Sequence, residues 1–203
     1  MPIKTNTRKI MATLVATVFL TAASAAQAQQ TAKKSTVPAP RTPVAAGAVL
    51  QKYNFEAGVD GWVATAKTVS LGTAGNPKKS GKASLKISGT STSDVYNFAL
   101  SPRTDLHPGK QYQATAWLYV KDWDNATKPP MLKIALYKDG KWVSNTFSNT
   151  YAFNKKSQWQ KLTVTVTAPT GGAIAGSLSV EKGMQDQVKA TMYLDEIKLQ
   201  AMK

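Results

Sequence analysis

The sequence has no cysteine, which excludes disulfides, thiol nucleophiles and thiolate metal centres together. Its single histidine, His107, sits in Leu106-His107-Pro108-Gly109 ahead of an alternating run. That context reads as a turn rather than as part of a Ser-His-Asp triad or a histidine metal cluster. Beyond residue 47 there is one arginine, Arg103. The arginine clusters that mark nucleic-acid recognition are therefore missing, and no nucleic-acid partner is expected. No apolar run reaches the ~20 residues of a membrane span, and no stretch beyond residue 48 keeps a helical period or an internal repeat.

What is present begins with Lys4, Arg8 and Lys9, the apolar run from Ile10 to Leu20, and small residues ending Ala26-Gln27-Ala28. This is the layout of a cleavable export signal over residues 1–28, which predicts a secreted or periplasmic protein. Residues 29–47, rich in Gln, Ala, Lys and Thr with Pro38, Pro40 and Pro43, read as a disordered linker. Residues 48–203 suit one domain. They carry all 11 acidic residues and 20 of the 26 Lys and Arg, a net +9. Nineteen of those 20 are Lys, scattered along the chain. Such a surface serves solubility and also favours anionic partners such as an acidic polysaccharide. A monomer is expected.

Thr, Val, Tyr, Trp and Ser dominate this region, with Gly and Asn between runs, so it reads as strands joined by turns. From Gln111 to Val120, Tyr112, Ala114, Ala116, Leu118 and Val120 share one face, while Gln113, Thr115, Trp117 and Tyr119 share the other. From Met131 to Lys138, Leu132, Ile134 and Leu136 face inward and Lys133, Ala135 and Tyr137 outward, before the hairpin signal Asp139-Gly140; Trp142 opens the partner strand. From Gln160 to Thr167 the inward residues are Leu162, Val164 and Val166. Further strands are expected at Val49–Phe55, Trp62–Ser70, Ala83–Ser88, Val95–Leu100, Ser177–Lys182 and Thr191–Gln200. About ten strands at short spacing predict an all-β, two-sheet antiparallel β-sandwich.

The order of motifs adds a resemblance. Asn54-Phe55-Glu56 with Gly61-Trp62, Gly81-Lys82-Ala83-Ser84-Leu85, Pro108-Gly109-Lys110-Gln111-Tyr112 leading to Trp117, Trp159 opening a strand that ends at Pro169, and Tyr193-Leu194-Asp195-Glu196-Ile197-Lys198-Leu199 together resemble the carbohydrate-binding modules of families 4, 9, 16 and 22. The resemblance covers nearly all of Tyr53 to Leu199. It implies a galactose-binding-like jelly roll whose first and last strands lie side by side, with sugar on the concave outer face of one sheet. Such modules are commonly attached to glycoside hydrolases. The resemblance also implies a structural calcium held by Glu56, Asp195 and backbone oxygen near Lys82; the alternative is that Glu56 caps a turn and Asp195 satisfies buried backbone donors. Asp195-Glu196 stands where relatives often carry two Asp.

Sugar recognition needs exposed aromatic planes beside hydrogen-bonding groups. The outward faces offer Trp117, Tyr119 and Tyr137, with Asn97, Lys133, Glu181 and Gln185 as polar neighbours. Trp117 and Tyr119 are core instead if that face is covered. Glu181 stands where some relatives place a sugar-binding carboxylate, its alternative role being a charge paired with Lys182 or Lys133. Trp62 and Trp159 read as core residues, and Asp122-Trp123-Asp124-Asn125 as a polar loop with an aromatic tip and a secondary sugar-edge candidate. Three functions remain open: a non-catalytic glycan-binding module, a small polysaccharide hydrolase or lyase, and an envelope-associated adhesion protein. A hydrolase would pair Glu181 with Asp94 or Asp186. A lyase would need Lys133 and Tyr137 close together in a deep cleft.

Overall fold

In the computed structural model, residues 44–125, 128–183 and 187–203 are described. The expected export signal, most of the linker, and Gln185 and Asp186 lie outside the described residues. Among the described residues twelve strands run in chain order: β1 (Val49–Tyr53), β2 (Val63–Ala64), β3 (Val69–Ala74), β4 (Ser84–Ser91), β5 (Asn97–Leu100), β6 (Thr104–Leu106), β7 (Gln111–Trp123), β8 (Met131–Lys138), β9 (Lys141–Thr150), β10 (Trp159–Thr167), β11 (Ile174–Glu181) and β12 (Val188–Ala201). A 3-10 turn at Phe153–Lys155 lies between β9 and β10. None of the described helices is long and apolar enough to cross a membrane.

Two six-stranded sheets face each other. The first has the order β10-β7-β12-β4-β3, with β1 also on β12; the second has β2-β5-β11-β8-β9, with β6 also on β11. Every pairing is antiparallel. The jelly-roll sandwich anticipated from the motifs is the observed fold, with its first and last strands adjacent as Tyr53↔Ile197 and Lys52↔Lys198. The stretch expected as one strand, Trp62–Ser70, is instead split into β2 and β3, and β6 is an added short strand.

The alternation in β7 does what its period requires. Tyr112, Ala114, Ala116, Leu118 and Val120 are fully buried between the sheets, each large apolar side chain contributing about 1.5–3 kcal/mol. Opposite them, Leu132, Ile134, Leu136, Leu178 and Val180 close the core from the second sheet. Tyr53, Phe55 and Trp62 form an aromatic group in the same core, with Tyr53 and Trp62 edge-on at 5.8 Å between ring centroids. Burial raises the Tyr53 phenol above its ordinary pKa. Trp62 is a core residue, as its motif position suggested.

Two long strands each share one edge between two partners. β12 pairs with β4 over Val188–Leu194 and with β1 over Ile197–Gln200, so the partner changes at Asp195-Glu196. β11 pairs with β6 over Ile174–Gly176 and with β5 over Ser179–Glu181. Ser101 fills the second gap: its N–H donates to the Leu178 carbonyl and its Oγ accepts from the Leu178 N–H, both at 2.8 Å.

Gly89 in β4 has φ +127°, and a Cβ there would lie 2.0 Å from the Thr68 carbonyl oxygen. The adjoining Thr90 N–H donates to that same oxygen at 3.1 Å. Backbone therefore occupies the space a side chain would need. Gly89→Ala is expected to destabilise the domain by about 2–4 kcal/mol, read from denaturant unfolding with an unchanged m-value.

Candidate glycan-binding faces

The sequence-derived candidates fall on opposite sides of the sandwich. Trp117 and Tyr119 lie on the outer face of the first sheet, where their register partners are Lys161 and Trp159 on β10 and Asp195 and Tyr193 on β12. Tyr137, Lys133, Glu181 and Asn97 belong to the second sheet. No single groove can hold all of them, so the one-face grouping expected from alternation divides in two.

On the second sheet, pairing fixes who stands beside whom. Lys133 is opposite Phe147 on β9 and Ser179 on β11, and Ala135 is opposite Asn145 and Ser177. Tyr137 is opposite Trp142 and Ala175, and Asn97 on β5 is opposite Glu181. Tyr96, Trp142, Asn145, Phe147 and Glu181 line a groove of about 260 Å³. Its aromatics are open to solvent: Trp142 is 60% exposed, Phe147 46% and Tyr96 44%. The Trp142 indole N–H donates to Asn145 Oδ1 at 3.0 Å, which steadies the ring while leaving its plane free.

Glu181 and Lys133 are buried, and Lys133 Nζ donates to Glu181 Oε2 at 2.6 Å. They occupy diagonal positions on β8 and β11, a separation that long side chains bridge. Lys133 and Ala135, expected on the outward face, are both buried. Of the two partners anticipated for Glu181, Lys133 is the one observed. Asn97 Oδ1 and Ser179 Oγ are buried without a hydrogen-bond partner. They lie at the register positions beside Glu181 and Lys133. Buried polar atoms usually find partners, so these two stand as capacity for an external one. Tyr137 has the Arg103 guanidinium 3.7 Å above its ring centroid, which leaves one ring face for stacking.

The other expectations resolve individually. Trp159 is not core: it lies partly exposed beside Tyr119, ring centroids 5.6 Å apart, on the outer face of the first sheet. Trp123 is not a loop tip. It ends β7, packs against Phe98 at 5.5 Å, and donates its indole N–H to the Lys128 carbonyl. Asp122 and Asp124 line a separate groove of about 420 Å³ with Lys156, Lys189 and Thr191. Asn125 adjoins them in sequence. His107 sits in its turn, its N–H donating to the Tyr112 hydroxyl at 2.6 Å. Asp94 accepts from the Thr92 hydroxyl, which holds its carboxyl below the usual pKa. Sequence reading passed over Tyr96, Trp142 and Phe147 as site residues. The available signal was three large apolar residues, Trp142, Val143 and Phe147, in the otherwise polar β9.

At the proposed calcium position, both carboxylates are engaged by backbone. Asp195, fully buried, accepts from Lys79 N–H at 2.8 Å and Ser80 N–H at 3.1 Å through Oδ2, and from Glu196 N–H at 2.7 Å through Oδ1. Glu56 accepts the Lys82 N–H with both oxygens, at 3.0 and 2.8 Å. A Cβ on Gly81 would fall 1.8 Å from Glu56 Oε1, so glycine is what admits this carboxylate. Calcium takes six to eight oxygens, and among the described residues no group of three acidic or histidine side chains converges. The N–H donors aimed at these oxygens fit the turn-capping alternative. Asp195→Ala should cost about 3 kcal/mol or more, since three N–H groups lose a charged acceptor. Chelator and added calcium should leave the wild-type Tm unmoved; a calcium-dependent rise abolished in Asp195→Ala would restore the ion.

With the geometry in place, comparisons locate the chain among known proteins. No curated protein matches in sequence. The xylan-binding CBM22-1 domain of Paenibacillus barcinonensis Xyn10C superposes with TM-score 0.56 at 20% identity, covering 79% of this chain and 99% of that domain. The CBM22-1-GH10 modules of Clostridium thermocellum endo-1,4-beta-D-xylanase 10B, complexed with xylohexaose, give TM-score 0.59 at 14% identity, covering 77% of this chain and 29% of that one. The C-terminal family 22 module of the same C. thermocellum Xyn10B gives 0.55 at 18% identity, with 78% and 96% covered. These likenesses establish a shared fold. A family model described as carbohydrate binding domain matches residues 47–191, and the chain belongs to that family, as a carbohydrate-binding module of the 4/9/16/22 type.

Proposed function

We propose that this protein is an exported, non-catalytic module that holds a polysaccharide chain in the groove on the outer face of the second sheet. The observation that carries this reading is the set of exposed rings of Trp142, Phe147 and Tyr96 around the buried Lys133–Glu181 pair. Aromatic planes serve the apolar C–H faces of sugars. The buried pair, with Asn97 Oδ1 and Ser179 Oγ beside it, offers donors and acceptors to ring hydroxyls. Lys133 has three N–H donors and gives one to Glu181, so its remaining donors suit hydroxyl oxygens.

The same geometry speaks against turnover in this groove. Among the described residues Glu181 is the only carboxylate lining it and is held by Lys133, whereas glycoside hydrolysis uses two carboxyl groups flanking the bond. For a lyase, Lys133 and Tyr137 are four residues apart on one strand, about 13 Å, and each already has a charged or aromatic partner. Export rests on the basic, apolar and small-residue segments at residues 1–28. Xylan is the first polymer to test, because related folds are xylan-binding domains.

Trp142→Ala and Phe147→Ala should each weaken polysaccharide binding by about 1–2 kcal/mol, roughly five- to thirtyfold, without lowering Tm. Affinity electrophoresis across neutral polymers reads this out, and unchanged mobility shifts in both variants would count against the groove. Glu181→Gln should destabilise by about 3–5 kcal/mol, because it leaves a buried ammonium without its counter-charge. The paired change Lys133→Met with Glu181→Leu should recover folding but not sugar binding. Retained binding in the paired variant would remove the ion pair from the site.

A further inference from the structure

The opposite side of the sandwich carries a differently built surface. On the outer face of the first sheet, Lys52, Thr115, Trp117, Lys161, Glu196 and Lys198 surround a second groove of about 240 Å³. Register explains the cluster. Lys52 on β1 is opposite Lys198 on β12, Lys198 is opposite Thr115 on β7, and Trp117, two residues on, is opposite Lys161 on β10. Four adjacent strands thus present lysines at both ends of a path of about 14 Å, with Thr115 and Trp117 between them. Lys79 adds a further ammonium, 4.0 Å above the Trp117 ring centroid.

The charge on this face is unbalanced. Among the described residues Glu196 is the only acidic one lining the groove. Asp195, Trp117's neighbour on β12, is fully buried and its oxygens are taken by backbone N–H groups. Among the described residues no ion pair engages Lys52, Lys161, Lys198 or Lys79. The second-sheet groove differs in kind, because there the lysine is neutralised by Glu181.

We propose that this face is a second binding surface, selective for an acidic polysaccharide whose carboxylates meet Lys52, Lys198 and Lys161 while a sugar ring lies against Thr115 and the edge of Trp117. Lysine, a hydrated point charge, suits single carboxylates spaced along a polymer, whereas phosphate backbones are matched by arginine forks. The domain's one arginine is on the other sheet, over Tyr137. A lipid surface is disfavoured because Trp117 is capped by the Lys79 ammonium rather than offered for insertion.

The test compares a polyuronate with its methyl ester, which share sugars and linkage but differ in charge, and includes xylan to read the second-sheet groove. Wild type should retain the acid form, release it by about 0.5 M NaCl, and show little affinity for the ester. A Lys52→Glu, Lys161→Glu, Lys198→Glu variant, with wild-type Tm, should lose polyuronate affinity by about tenfold or more while keeping its xylan affinity. Trp142→Ala should keep polyuronate binding. Equal binding of acid and ester, no effect of the charge reversals, or loss of polyuronate binding in Trp142→Ala would each overturn the proposal. So would equal affinity for duplex DNA or phosphatidylserine vesicles, which would mark unselective charge attraction. Because xylan is measured separately, failure of the second-sheet groove would show without affecting this outcome.

Discussion

The buried carboxylate of Asp195 is the constraint on which the arrangement of the first sheet depends. β12 is 14 residues long and gives one edge to two partners in succession. Where they change over, the hydrogen-bond ladder cannot continue, and an unpaired polar backbone at that depth would be costly. Asp195 converts the break into a joint, its two oxygens gathering the N–H groups of Lys79, Ser80 and Glu196. Charge-assisted bonds of this kind make a buried carboxylate tolerable. The loop thus tied down also brings the Lys82 N–H to Glu56 and seats Lys79 over Trp117. Ser101 does the equivalent at the shared edge of β11 with a neutral hydroxyl. The difference in strength follows the job: one donor needs an acceptor in the second sheet, three in the first.

Because both joints lock strand register, they also decide what each outer face displays. A slip of one residue in β12 would turn Lys198 inward and expose Leu199. In the second sheet, the register of β8 against β11 sets Lys133 diagonal to Glu181 and so permits their ion pair. That pair is a poor source of stability, since desolvating two charges offsets most of their attraction. It earns retention if its polar atoms serve a ligand, which the unpartnered Asn97 Oδ1 and Ser179 Oγ at neighbouring positions support.

The sandwich was legible because alternation is a local property: the β7 and β8 periods named the core residues, and the ordered motifs supplied the topology. Grouping the outward residues was harder, since alternation says which side of its own sheet a residue takes but not which sheet. Trp117 and Tyr137 look equivalent along the chain and lie on opposite faces of the molecule. Trp159 looked like core because a strand-opening tryptophan often is, yet its pairing with Tyr119 puts it outside. Tyr96 was invisible as a site residue, since it flanks a short strand and reaches the groove only through the β5–β11 pairing. Glu56 and Asp195 were recognised as important, while the identity of their partners, backbone N–H groups, is encoded nowhere in the side-chain pattern.

The two outer faces carry the same ingredients, aromatic rings beside lysine, with different electrostatic outcomes. On the second sheet the lysine is buried and its charge is spent on Glu181, so what remains for a ligand is directional hydrogen bonding next to bare rings. On the first sheet the lysines keep their charge, and the tryptophan is partly shielded by one of them. A neutral chain gains most where rings are open and polar atoms are already desolvated, because little solvent must be displaced from charge. An acidic chain gains most where cations are numerous and hydrated, since each contact is then modest and the attraction accumulates along the polymer. Scattered lysine in the sequence therefore acquires a direction from the fold: strand pairing gathers Lys52, Lys161 and Lys198 around one groove, while beside the other the buried lysine is matched by Glu181.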